Sequence, residues 1–393
     1  MSFIMNIRSV AKYESKILVR SWFFRIFTLL AVVFLGFFNF AMMLMEDNFG
    51  LWFAKSVSSN IPYLNLLLLN TGQAVVAVFL SSEFLKRDKK LDTFEVFYVR
   101  PLSNAEYVVG KIWGNLRVFL FLNLLVLAIV LAFNFMASGV TVDLPAYLVY
   151  FFLISIPTLI FIIGLSIFLM LLLKNQALTF ILLLGYIGLT LFYIQDKFYY
   201  LFDYMVYNLP LFKSTIVGFS NLELILNHRA IYFFAGLGFI FFTIFLFKRL
   251  PNARRSHYPW LFLSFCMFLL MVTAGFRHVR SILWEGEMRA LYTSINNKYV
   301  YEPKMAIDYY DISVEQKSET IRSVVGMEGT ALAASEVFIF CLNPGLRVEE
   351  VKDGEKSLNF KREEQILAVD FGRKIEKGDT ISFSVSYEGR IKD

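Results

Sequence analysis

The chain has 393 residues, of which 57% are hydrophobic, 18% aromatic and only 18% charged. Soluble domains carry about 25% charged residues, so this composition excludes an ordinary soluble protein and indicates a membrane protein. The net charge is +6, but no nucleic-acid-binding motif accompanies it. Basic residues beside anionic lipid account for this charge, and no nucleic-acid partner is expected.

The first 21 residues are charged and amphipathic. Basic side chains recur every four residues at Arg8, Lys12, Lys16 and Arg20, while apolar residues fall on another side of the same helix. This pattern predicts a helix at the inner membrane interface, although a solvated helix with a small apolar face has the same pattern. No signal peptide is evident, so we expect the first span itself to direct insertion.

Seven uncharged apolar runs follow, each long enough for a helix that crosses a bilayer. Hydrocarbon cannot hydrogen-bond a backbone, so each run is best satisfied as a helix. The alternative, a soluble protein with seven buried helices, would need more polar sequence to cover its core. The predicted spans are 22–45, 61–85, 116–137, 147–173, 177–194, 230–247 and 260–276.

The distribution of Lys and Arg predicts the topology. Alternate connections are rich in both, above all the segment 86–111, whereas the intervening ones hold only Lys55, Lys197, Lys213 and Arg229. Basic short loops stay in the cytoplasm, so the N-terminus is expected there and the region after residue 276 on the other side. Arg277 and Arg280, just beyond the last span, weakly oppose this orientation. We expect a multi-pass protein of the inner (cytoplasmic) membrane.

Catalytic and metal-binding patterns are missing from the sequence. The histidines form no pair with metal-ligand spacing, and neither a phosphate-binding loop nor a nucleophile elbow occurs. We therefore expect a transporter, channel or anchor without enzymatic activity of its own. Among the few polar residues within the spans, Asn65, Asn70 and Gln73 come closest to a pathway lining, but helix–helix hydrogen bonds would use the same residues.

The connection 195–229 is rich in Phe, Tyr and Leu. Such a segment is too apolar for a free loop, and short helices in the outer interface, separated by Pro210 and Gly218, would explain it. They would either shape an exit or pack on the bundle.

After a basic linker and the seventh span (251–285), the composition changes. The segments "AIDYYDISVE", "EVFIFCL", "QILAVDF" and "TISFSVSYEG" alternate apolar with polar residues, and the turns at Asn343-Pro344-Gly345 and Asp353-Gly354 separate strands. This pattern predicts an extracytoplasmic β-sandwich-like domain over 290–393.

The polar segment 81–111 separates the second and third spans. Asp92 to Glu95 and Ser103 to Glu106 both have the spacing of a capping box, so two short helices are expected around Arg100-Pro101. Such a braced helix pair, joined to two spans, would transmit a displacement to the bundle. An ordinary basic inner loop is the plainer alternative.

The order of residues in this loop, above all from Glu95 to Lys111, resembles the permease subunits of type-2 ABC exporters over about 1–250. The resemblance implies a six-helix permease bundle over 22–250, in which the loop 86–110 is a coupling helix that docks on a separate ATP-binding subunit. It implies aromatic interfacial helices between the fifth and sixth spans, a second permease copy or half, and ATP with magnesium on the partner only. The implied ATPase contact residues are Asp92, Thr93, Phe94, Glu95, Arg100, Pro101 and Glu106, with Glu83 at the base of the second span.

The tail from Leu342 to Ile391 resembles part of the N-terminal β-sandwich of aminopeptidase N-type zinc peptidases. The catalytic residues of that family belong to a later domain that this sequence does not contain, so the resemblance implies no activity. The sequence favours the membrane subunit of an ATP-driven exporter. A membrane-anchored scaffold or peptidase-like protein that displays the β domain is the alternative.

Overall fold

The computed structural model describes residues 2–44, 57–82, 102–136, 141–209, 211, 213, 218–219, 221–247, 258–317 and 320–391. Within these residues the chain divides into two compact units. One comprises Met1–Thr215 with Phe219–Arg280, and the other Ile216–Gly218 with Ser281–Asp393.

The first unit is helical. Seven helical stretches of the described residues are long and apolar enough to cross a membrane, which confirms the number and order of the predicted spans. The helices are α1 (Ser2–Arg20), α2 (Trp22–Leu44), α3 (Asn60–Ser82), α4 (Asn104–Met136), α5 (Leu144–Tyr150), α6 (Ile156–Leu173), α7 (Gln176–Leu189), α8 (Leu222–Leu246) and α9 (Tyr258–Lys298).

Two helical stretches change their hydrogen-bond step along their length. A π-helical segment, Phe151–Ser155, joins α5 to α6, and a second, Thr190–Ile194, extends α7. Between α6 and α7 the chain turns within two residues, because Lys174 adopts a left-handed conformation at φ 53° and the Asn175 side chain caps α7 through the Leu178 amide at 3.2 Å.

Helices α6 and α8 approach each other closely at two glycines. A Cβ atom added at Gly236 would lie 2.7 Å from the Ile160 carbonyl oxygen, and one at Gly164 would lie 2.7 Å from that of Gly236. Only residues without a side chain fit there, so these glycines set the distance between the two helices.

The seventh apolar helix differs from its predicted length. The apolar run ends near residue 276, but α9 continues to Lys298 through a charged segment. Hydrophobicity marks where a helix can lie in hydrocarbon, and it does not mark where backbone hydrogen bonding stops. Residues 281–298 of this helix belong to the second unit.

The connection between α7 and α8 also differs from the prediction. Its described part contains no α-helix but a short 3-10 helix, Phe198–Tyr200, and several turns, and α8 begins at Leu222 instead of Ala230. The aromatic residues there form a turn with left-handed backbone, which hydrophobic patterning does not reveal.

The described residues of the second unit form eight antiparallel strands: β1 (Met305–Lys317), β2 (Thr320–Ala331), β3 (Ser335–Cys341), β4 (Leu346–Asp353), β5 (Lys356–Ser357), β6 (Asn359–Glu363), β7 (Ile366–Ile375) and β8 (Thr380–Gly389). They form a five-stranded sheet in the order β1-β2-β8-β4-β5 and a three-stranded sheet in the order β3-β7-β6. All four strands quoted from the sequence are present.

The two sheets share one apolar core. Phe338 and Phe371 of the smaller sheet stack edge to face at 5.9 Å, and Phe371 contacts Phe383 of the larger sheet at 5.5 Å. Both predicted turns occur, and Gly354 takes the positive φ of 60° that the hairpin between β4 and β5 requires. The tail is therefore an antiparallel β-sandwich.

Candidate functional site

Most of the predicted ATPase contact lies outside the described residues. These positions are Glu83, Asp92, Thr93, Phe94, Glu95, Arg100 and Pro101. Glu106 is described, and it opens α4 where the polar segment ends. The surroundings of Glu106 therefore show how the base of the loop is held.

The capping box predicted at Ser103 is confirmed. The Ser103 amide donates to Glu106 Oε2 at 2.6 Å, and the Glu106 amide donates to Ser103 Oγ at 3.1 Å. This reciprocal pair satisfies two donors that the start of a helix would otherwise leave without partners. It fixes the direction in which the chain enters α4.

Helix α1 also contacts the start of α4. Asn6 of α1 donates through Nδ2 to Glu106 Oε1 at 3.0 Å. One helical turn further along α4, Lys111 Nζ lies 3.3 Å from Glu14 Oε2, and these two side chains are only 4% and 3% exposed. A buried charge must be paired, so this ion pair fixes the register between α1 and α4.

The backbones of α1 and α4 approach closely at two glycines. A Cβ atom at Gly110 would lie 2.7 Å from Val10 Cβ, and one at Gly114 would lie 2.9 Å from the Ala11 carbonyl oxygen. Small residues four positions apart let two helices touch along their backbones. The amphipathic first helix is therefore packed against the start of α4, and its basic side chains remain exposed.

The end of α8 completes the arrangement. Asn104 Nδ2 donates to the Phe247 carbonyl at 2.7 Å, and the rings of Tyr107 and Phe247 stack at 5.5 Å, nearly parallel. The first turn of α4 thus contacts both α1 and the residue after α8. We call this arrangement the loop base, defined by Asn6, Glu14, Asn104, Glu106, Tyr107, Lys111 and Phe247.

The amides proposed as a pathway lining lie in two separate networks. Asn65 exchanges hydrogen bonds with Asn39 at 2.7 and 3.1 Å. Gln73 Nε2 donates to Asn70 Oδ1 at 2.6 Å, and Gln73 Oε1 accepts from Asn123 Nδ2 at 2.8 Å. All three are fully buried, and their hydrogen bonds link neighbouring helices. Their role in a pathway stays a prediction.

Sequence patterning missed a buried cation. The sequence pattern places Arg229 in a connection, but α8 begins seven residues earlier, so Arg229 lies inside this helix with 2% exposure. Its guanidinium donates to the Leu153 carbonyl at 2.6 Å, the Ile154 carbonyl at 3.3 Å and the Tyr204 carbonyl at 2.9 Å. Two of these acceptors belong to the π-helical segment 151–155. The only sequence signal was an arginine beside an apolar run.

Next to Arg229 lies a turn in an unusual conformation, which we call the clamped turn (residues 198–206). Phe198, Tyr199 and Tyr200 are all left-handed, with φ of 52°, 59° and 62°. The Tyr199 carbonyl accepts from His278 Nε2 at 2.9 Å, and that of Tyr200 from His228 Nε2 at 3.0 Å. Non-glycine residues avoid this region, so side chains of α8 and α9 hold the turn against its backbone preference.

A carboxylate closes the clamped turn. Asp203 is 1% exposed and accepts from the amides of Tyr207 and Asn208 at 2.9 and 2.8 Å. Burial raises the pKa of Asp203, although these hydrogen bonds and the charge of Arg229 oppose the rise. Arg229, His228 and His278 donate to backbone carbonyls of the clamped turn, and Asp203 accepts from these two amides and interacts with the charge of Arg229. These interactions stabilise the conformation of the turn. In the described part of the chain, no three His, Cys, Asp or Glu residues lie together as metal ligands.

No protein-family model matches the sequence, and no curated protein matches it. Among solved structures, two crystal structures of M1 zinc metallopeptidases are similar to part of the chain. One is a two-domain enzyme bound to L-tryptophan, and the other, from Deinococcus radiodurans, is bound to a Tyr-Ser-Ala substrate. Each has 17% identity and a TM-score of 0.21 over 22% of this chain and 21% of the peptidase. The chain thus spans about a fifth of the length of these peptidases, and a likeness of this extent defines neither fold nor activity.

Proposed function

We propose that the chain is the membrane-spanning permease subunit of an ATP-driven exporter of the type-2 ABC class. In this proposal a separate subunit binds ATP and magnesium and docks on the polar loop, and a second permease copy or half completes the pathway. This chain carries out no hydrolysis and moves a substrate that the sequence does not identify.

The observation that supports the proposal best is the loop base. A loop that receives force from a partner must be joined firmly to the helices it moves. The start of α4 is held by its own capping box, by the stacking of Tyr107 on Phe247 and, one turn further along, by the buried pair Glu14–Lys111. A displacement at the loop would therefore reach α1, α4 and α8 together.

Co-purification tests this proposal. The full chain is isolated in mild detergent, and the accompanying protein is identified by mass spectrometry and assayed for ATP hydrolysis. We expect an ATP-binding subunit in stoichiometric amount, and Glu95→Gln or Arg100→Gln should reduce its recovery at least tenfold. The control Lys361→Gln, at an exposed position of β6, should leave recovery unchanged. The exporter proposal fails if no ATP-hydrolysing protein is recovered, or if all variants recover it equally.

The alternative function, a membrane-anchored scaffold or peptidase-like protein, is favoured by one observation. The β domain has its own apolar core, with Phe338, Val351 and Val369 fully buried. Under this alternative the helices only anchor the domain, and substitutions in the polar loop would have no functional effect.

The proposed orientation places the N-terminus in the cytoplasm and the β domain outside it. Cys341 is exposed on the β domain, and Cys266 is half-buried within α9. We expect a membrane-impermeant maleimide to label intact cells that carry Cys266→Ser but not those that carry Cys341→Ser. Labelling that requires lysis in the Cys266→Ser variant would reverse the orientation.

A further inference from the structure

A cleft of about 350 Å³ lies in the β domain between the start of β4, in the larger sheet, and the edge strand β6 of the smaller sheet. This volume is at the small end of the range for ligand sites, so the cleft suits a compact molecule. Its apolar wall includes Leu346, Val348 and Phe360, and its polar wall includes Arg347, Arg362 and Glu364.

Arg362 is held rigidly at this cleft. Its Nη2 donates to the carbonyls of Leu342 and Asn343, at 2.9 and 2.7 Å, in the turn between β3 and β4. Its Nη1 is buried and has no hydrogen-bond partner among the residues that the structure describes. Partial burial also lowers the pKa of Arg362. The guanidinium keeps its positive charge, because arginine is not deprotonated in proteins, and it therefore attracts an anionic acceptor.

The charges of the cleft are unbalanced. Other arginines of the domain are paired, Arg322 with Glu349 and Arg373 with Asp353. Among the described residues, no ion pair involves Arg347 or Arg362. Glu364 is the only acid among the described residues of the lining, so these residues carry one surplus positive charge. A ligand with a single negative charge would neutralise it.

We propose that this cleft binds a small monocarboxylate with an apolar body. The planar guanidinium groups of Arg347 and Arg362 match a carboxylate in charge and geometry, and Phe360 with its apolar neighbours contacts the rest of the ligand. This site is independent of the transport proposal, because none of its residues belongs to the helical unit.

The test uses calorimetric titration of the full chain in detergent with phenylacetate. Phenylacetamide is the neutral analogue, and inorganic phosphate is the competing anion. We expect saturable binding of one phenylacetate per chain, no binding of the amide, and little competition by phosphate at equal concentration. Equal binding of the amide, displacement by phosphate as effective as by phenylacetate, or the absence of saturable binding would each overturn the proposal.

Variants locate the site. Arg347→Met and Arg362→Met should each weaken phenylacetate binding at least tenfold, and the control Arg373→Met, which lies outside the cleft, should stay within twofold of the wild type. Arg362 also supports a turn, so its replacement can alter folding. Arg347 is exposed, and its replacement therefore decides the result. Unchanged binding in Arg347→Met would refute the assignment.

Discussion

The buried ion pair between α1 and α4 offers a quantitative test of the loop base. Lys111 Nζ and Glu14 Oε2 are 3.3 Å apart, and at an effective dielectric constant of about 20 this distance corresponds to an attraction of about 5 kcal/mol. Replacing one partner removes this attraction and leaves the other charge buried. We expect Lys111→Met to lower the free energy of unfolding by about 3–5 kcal/mol. Replacing both, in Glu14→Leu with Lys111→Met, should bring stability back to within about 1 kcal/mol of the wild type.

The assay is equilibrium unfolding of the purified chain in detergent, followed by tryptophan fluorescence. An exposed ion pair of the same unit serves as the matched control. Arg277 and Glu223 are 2.7 Å apart, but their side chains are 59% and 76% exposed. Arg277→Gln should therefore cost less than about 1 kcal/mol. The reasoning is refuted if Lys111→Met lowers the free energy of unfolding no more than Arg277→Gln does. It is also refuted if the double variant loses as much stability as Glu14→Leu and Lys111→Met together lose when each is measured alone.

Three further predictions concern the helical bundle. Gly236→Ala should destabilise the chain by about 1–3 kcal/mol, because the new Cβ meets backbone atoms of α6. The control Gly185→Ala, at a position with open space, should be neutral or stabilising. Thermal unfolding in detergent measures the difference in stability between the two variants. Tyr199→Gly should raise stability by about 1 kcal/mol in the same assay, since glycine adopts its φ of 59° without strain, and a loss would show that the tyrosine side chain outweighs this relief. Because burial raises the pKa of Asp203 in the folded state, the protonated carboxyl stabilises the fold. This contribution is present below about pH 4 and is lost as the pH rises through the folded-state pKa. The difference in unfolding temperature between wild type and Asp203→Asn should therefore change as the pH rises above about 4, and a constant difference would contradict the prediction.

Features that depend on neighbouring residues in the sequence were predictable. The capping box at Ser103 and Glu106 is a contact between positions three apart, and the spans depend on hydrophobicity alone. The β-hairpin turn at Gly354 likewise follows from local chemistry. The residues at the centre of the proposed ATPase contact lie outside the described ranges and stay predictions.

Features that depend on distant contacts were not predictable. Arg229 is buried because carbonyls some 75 positions earlier in the chain accept its hydrogen bonds, and nothing beside it in the sequence indicates them. Strand β2 contains Gly326 and Gly329, which interrupt the alternation of apolar and polar residues. It forms because β1 and β8 supply hydrogen-bond partners on both sides. Pairing of this kind outweighs local preference.

The π-helical segment 151–155 also determines which way the rest of its helix faces. Each residue of an α-helix turns the chain by about 100°. A π-helical segment, whose hydrogen bonds span one residue more, therefore rotates the side chains after it about the helix axis relative to those before it. Before the segment, the Tyr150 hydroxyl donates to the Leu211 carbonyl at 2.6 Å, and after it Gly164 faces α8. A deletion of one residue within 151–155 would restore a regular α-helix and rotate Tyr150 and Gly164 out of phase. The number of residues in this segment therefore determines whether Tyr150 reaches the Leu211 carbonyl and Gly164 packs against α8 in the same structure.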